Sequence, residues 1–114
     1  LMFVGTEAYV FTAGRGVGTT ERMLEVLASV EPSPVGSFAS LHRAVLTRES
    51  ALSGCVCVLL GWDAERRDLV RDLRALGLPT RVLIVTPDGT GDPPAGEHVH
   101  RLVVGRIAED LARL

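Results

Sequence analysis

Lysine, asparagine and glutamine are missing altogether from these 114 residues, and aromatic residues make up only 4% of them. Without lysine there is no Walker-type phosphate loop, whose lysine must reach the phosphates. Nor is there a receiver-type phosphoacceptor site, which needs a lysine near its last strand. All twelve basic residues are arginine, a bias that reflects a GC-rich genome rather than a task. The net charge is -2, and the arginines stand singly or in short pairs. That distribution provides neither the basic stripe nor the aromatic platform of a nucleic-acid surface, so nucleic acid is not expected as a partner. Long apolar runs are absent too. The longest, Cys55 to Leu60, falls far short of the ~20 residues that span a bilayer, and no signal-peptide pattern is present. A soluble piece of chain without a membrane segment is expected.

What is present fits one domain with one core, burying roughly 65% of the surface of the unfolded chain. A mean hydropathy of +0.26 is high for so small a domain and implies more apolar surface than one compact globule hides. The sequence also opens directly on the strand-like "LMFVG". Together these features lead us to expect a fragment of a larger protein.

"LMFVGTEAYVFT" reads as two short strands, Leu1 to Val4 and Glu7 to Thr12, joined through Gly5 in an antiparallel hairpin. From Thr19 or Thr20, an available N-cap, the residues Met23, Leu24, Leu27 and Val30 recur at helical spacing until "EPSPVG" stops them. Ser37 or Ser40 is placed to cap a second helix carrying Leu41, Ala44 and Val45. "CVCVLLG" and "TRVLIVTP" are continuous apolar runs, the mark of parallel strands covered on both faces. Between them Leu69, Leu73 and Leu76 form one helical stripe that Gly77 and Pro79 terminate. "DGTGDPPAGE" is a loop, "HVHRLVV" a fifth strand, and "GRIAEDLARL" a last helix with Ile107, Leu111 and Leu114 aligned. Strands alternating with helices predict an α/β fold, a parallel sheet with covering helices.

The glycines of "FTAGRGVGTTERMLEVL" do not cradle a phosphate. Five residues after Gly14 stands Thr19, where both the phosphate-loop and the dinucleotide patterns require glycine. Arg15 projects from this turn and is a candidate to face a ligand or partner. Cys55 and Cys57 are i and i+2 of a strand, so their Cα atoms lie roughly 6.5 to 7 Å apart, at or beyond disulfide reach. Reduced, buried thiols are expected. His98 and His100 complete a formal zinc set only on paper, because a third strand should separate them from the cysteines. Asp63 and Asp88 each follow an apolar strand, where open α/β sheets place their ligands. They suit equally well a helix N-cap and a "PDG" turn. Trp62, the lone tryptophan, is either a core lid or a partner anchor. No serine or cysteine nucleophile is placed by a motif with a histidine, so no enzyme activity and no cofactor are implied.

"LMFVGTEAYVFTAGRGVGTTERMLEVLASVEPS", "SFASLHRAVL" and "LSGCVCVLLGWDAERRDLVRDLRALGLPTRVLIVTPDG" together resemble the C-terminal portion of the domain-of-unknown-function family numbered 58, which is similar to von Willebrand factor A domains. The resemblance implies the finer form of the α/β fold, a mostly parallel doubly wound sheet with an antiparallel N-terminal edge hairpin. It also implies a bacterial, noncatalytic protein-interaction domain of a larger, membrane-anchored protein, exposed to the cytoplasm and working with a MoxR-type AAA ATPase. In von Willebrand factor A domains an Asp-x-Ser-x-Ser cluster holds a divalent metal. This sequence has no such cluster; Ser37 or Ser40 falls at the second metal loop and Asp63 near the third. Two hydroxyls and a carboxylate cannot complete the ~six oxygens that Mg2+ prefers, so no bound metal is expected. The resemblance further implies a first strand upstream of Leu1, between the hairpin and "CVCVLLG". Its absence would leave unpaired edges that favour homo-oligomers. The alternative reading is a small-molecule or nucleotide-binding domain of an enzyme, using the strand ends near Trp62, Asp63 and Asp88, with its catalytic residues upstream.

Overall fold

The computed structural model describes residues 20–30, 38–88, 96 and 98–114, and the backbone of 2–4 and 8–10. The fold class is α/β, divided into two compact units, Leu1–Arg48 and Glu49–Leu114.

In the first unit β1 (Met2–Val4) and β2 (Ala8–Val10) pair antiparallel, Met2 opposite Val10 and Val4 opposite Ala8. This is the hairpin expected from the sequence; Leu1, Glu7, Phe11 and Thr12 of the expected strands lie outside the described residues. Helix α1 (Thr20–Ala28) begins with Thr20 inside the helix. Its half-buried side chains are Met23 and Val26, followed by Val30 just past the helix end, while Leu24 and Leu27 are exposed. The apolar face is therefore narrower than the sequence suggested. Helix α2 (Phe38–Thr47) packs against β1 and β2 and buries Val45. Phe38 opens it, so Ser40 sits in its first turn and is not its N-cap. Ser37 lies outside the described residues.

The second unit holds β3 (Cys55–Leu59), α3 (Ala64–Ala75), β4 (Thr80–Thr86), β5 (Val99–Val103) and α4 (Ile107–Ala112). The three strands form one parallel sheet in the order β3-β4-β5, with α3 as the crossover that parallel β3 and β4 require. Cys57 pairs with Val82, Leu59 with Ile84, and Ile84 in turn with Arg101. Residues in register share a face. The buried side of β3 (Cys57, Leu59), Val82 and Ile84 of β4, and Leu69, Val70 and Leu73 of α3 make the core.

Two expectations are corrected here. Strand β3 is not covered on both faces: Val56 and Val58 are 64% and 61% exposed. Among the described residues it is an edge strand that pairs only with β4. Central β4 does bury Val82, Leu83 and Ile84 in succession. In α3 the third core position is Val70 rather than Leu76, because the helix ends at Ala75 and Leu76 becomes the half-exposed C-cap. There the Gly77 amide donates to the Arg74 carbonyl and the Leu78 amide to the Leu73 carbonyl, a Schellman closure that requires the left-handed φ of +78° at Gly77. Among the described residues no helix is long and apolar enough to cross a membrane.

Candidate functional site at the C-terminal edge of the parallel sheet

Because β3, β4 and β5 are parallel, the segments that follow them emerge at one edge, the place where open α/β sheets bind ligands. Gly61, Trp62 and Asp63 follow β3, Pro87 and Asp88 follow β4, and Val104, Gly105 and Arg106 lead from β5 into α4. Trp62, Asp63 and Asp88 thus share an edge of the second unit. Ser40 belongs to α2 of the first unit. Arg15 lies outside the described residues.

Asp63 is committed to its own helix. With extended backbone (φ -130°, ψ -176°) it is the N-cap of α3, one carboxylate oxygen accepting from the Arg66 amide at 3.0 Å and the other from the Arg66 guanidinium. The Arg66 amide, helped by that guanidinium, holds the carboxyl below the usual aspartate range. Asp88 instead lines an open cleft of about 480 Å3 with Arg101, Val103, Arg106 and Asp110. Two carboxylates and two guanidiniums give it strong polarity and no net charge of one sign. Asp63 is not among the described residues that line it.

Asp110, which sequence reasoning passed over, organises this corner. Its side chain is only 10% exposed and accepts a hydrogen bond from the Val103 amide at 2.8 Å. Arg106 lies 3.9 Å from its other oxygen. The i, i+4 spacing of Arg106 and Asp110 was visible in the sequence; the turn back onto β5 was not. At the end of β4, the Thr86 hydroxyl is buried with no hydrogen-bond partner among the described residues.

No three His, Cys, Asp or Glu side chains converge on a possible metal position among the described residues. His98 is not in a strand; it precedes β5 with φ +60°, so the i, i+2 strand geometry that would put it on the same face as His100 does not apply. Strand β4 separates β5 from the cysteines. Both cysteines are free thiols, yet their sulfurs are 3.7 Å apart, much closer than the Cα spacing of a strand suggests.

No family model matches this chain. No solved structure matches it either. Among curated proteins, 48 residues are 46% identical to endoribonuclease YbeY of Chloroflexus aggregans (strain MD-66 / DSM 9485), covering 41% of this chain and 31% of that protein. The chain therefore spans under a third of the length of the curated relative it matches, and that overlap carries no activity across to it.

Proposed function

We propose that this chain is a noncatalytic protein-interaction domain of a larger, membrane-associated protein, a von Willebrand factor A-like module whose partner is a MoxR-type AAA ATPase. The observation that carries the reading is strand β3. A parallel strand normally lies under cover on both faces, but β3 presents Val56, Val58 and, just beyond it, Leu60 at 64%, 61% and 80% exposure. Its outer backbone edge pairs with nothing among the described residues. An apolar face beside unpaired amides and carbonyls suits an added strand of another polypeptide, where backbone hydrogen bonds give affinity and alternate side chains give selectivity.

The test is a pull-down of purified MoxR-type ATPase from the same organism, with nucleotide varied, by the wild-type chain and by Val58→Arg. Binding by the wild type and its loss in Val58→Arg, with unchanged thermal stability, is the expected result. No binding by either protein sinks the reading. The same edge supports self-association, and a strictly monomeric light-scattering profile at high concentration excludes that use of it.

The polar cleft of Asp88, Arg101, Arg106 and Asp110 favours a second reading, a small-molecule or nucleotide-binding domain of an enzyme. In that case Asp88→Ala weakens ligand binding while Val58→Arg does not.

A further inference from the structure

Cys55 and Cys57 lie on the same side of β3, and their Sγ atoms approach to 3.7 Å in a thiol–thiol hydrogen bond. The two differ in access. Cys57 is 7% exposed and set in the core, whereas Cys55, the first residue of the strand, is half-buried. Its amide donates to the Pro79 carbonyl at 2.9 Å, and it pairs with Thr80. Pro79 and Thr80 line an open depression of about 310 Å3 that also carries the positive charge of Arg74; Cys55 is not among the described residues that line it, and its own access rests on its being half-buried.

We propose that Cys55 and Cys57 are a redox-active dithiol that a low-molecular-weight disulfide oxidises to an intrastrand disulfide, Cys55 attacking and Cys57 resolving. Sharing a hydrogen bond with Cys57 lowers the Cys55 thiol to about 7, the direction that favours the reactive thiolate. The same hydrogen bond, together with burial, pushes Cys57 up. The thiolate is the nucleophile in such exchange.

In the first step Cys55 Sγ attacks one sulfur of the oxidant RSSR. An S–S bond forms to the protein, and RS- leaves and takes up a proton. In the second, Cys57 loses its proton and its Sγ attacks Cys55 Sγ, expelling the remaining RSH. In sum the two thiols give two electrons and two protons to RSSR, yielding one protein disulfide and two RSH. Closure draws the sulfurs from 3.7 Å to about 2.05 Å and asks the Cα atoms to come within ~6.8 Å. The strand must shorten slightly at Val56. That residue is 64% exposed on the opposite face, so its movement displaces no core side chain. A disulfide made under such tension is readily reduced again, which suits a reversible modification rather than a structural bond.

Intact mass and thiol alkylation after equilibration with graded ratios of oxidised to reduced glutathione test this. The wild-type chain is expected to lose two hydrogens in mass, lose both alkylatable thiols, remain monomeric on a non-reducing gel, and recover fully with excess thiol. Cys57→Ser, which lacks the resolving sulfur, is expected to accumulate the glutathione adduct on Cys55. Cys55→Ser is expected to form an adduct at least about tenfold more slowly at pH 7. Thiols that stay alkylatable at every ratio, a wild-type adduct that never closes, disulfide-linked dimers, or equal reactivity of the two variants would each overturn the proposal. The wild-type closure decides the main point even if a serine variant fails to fold.

Discussion

Leu73 is fully buried, whereas Leu76, three residues on, is 47% exposed. That contrast sets a quantitative test of how α3 faces the sheet. Leu73→Ala removes about three methylene equivalents at about 0.8 kcal/mol each. The cavity left in a core that relaxes only in part raises the loss to about 3–4 kcal/mol. A unit of this size, Glu49–Leu114, is stable by only about 3–10 kcal/mol, so one truncation takes a third or more of the total. Val70→Ala, also in the core at 4% exposure, should cost about 2–3 kcal/mol, and Leu76→Ala about 0.5 kcal/mol. Urea titration followed by far-UV circular dichroism and by the fluorescence of Trp62, the lone tryptophan, reads these differences. With a slope of about 1 kcal/mol/M, the Leu73→Ala midpoint falls by about 3–4 M at unchanged slope. If Leu76→Ala proves as damaging as Val70→Ala, the helix is turned differently and the core described above is wrong.

Gly77 has φ +78° with no atom within 4 Å of where a Cβ would stand, so Gly77→Ala should cost about 1–2 kcal/mol through backbone strain alone, and Gly77→Asn less, by the same titration. Asp110→Ala leaves the Val103 amide without its charged acceptor and should cost about 1.5–3 kcal/mol; Asp110→Asn, which keeps an acceptor oxygen, should recover part of it in thermal melts. The Asp63 carboxyl is lowered in the folded chain by the Arg66 amide. Its contribution is therefore complete above the usual aspartate range and fades as pH falls through the lowered value. Asp63→Asn should accordingly flatten the acid limb of a stability-versus-pH curve and leave the neutral region nearly unchanged in shape; an acid limb identical to wild type counts against the cap.

Element order was largely legible because apolar period, proline and glycine act locally. Asp63 ahead of "AERRDLV" and Gly77 behind it bracket α3 by chemistry that a one-dimensional reading can see. The facing of that helix was less accessible, since Leu69, Leu73 and Leu76 are one stripe only if the helix continues through Leu76, and Gly77 ends it a residue too soon. Burial of β3 was misread for a different reason. A run such as "CVCVLLG" records the apolarity of both faces but not whether anything lies over the second one. At the candidate site, Asp63 and Asp88 were visible as residues after strands, while Asp110 was not, because its carboxylate turns back along the chain to the Val103 amide. The approach of the two sulfurs is set by side-chain rotamers, which Cα spacing does not record.

The contrast between β3 and β4 also bears on how freely this sequence can drift. In β4 the consecutive burial of Val82, Leu83 and Ile84 leaves none of these three positions where a polar residue is harmless, so changes at them are purged by loss of folding alone. In β3, Cys57 and Leu59 are held in the same way, but Val56 and Val58 can vary without unfolding the chain. If homologous sequences keep those two positions aliphatic, the constraint acts on something other than the stability of this unit, and the substitution record of two neighbouring strands separates the demands of folding from those of use.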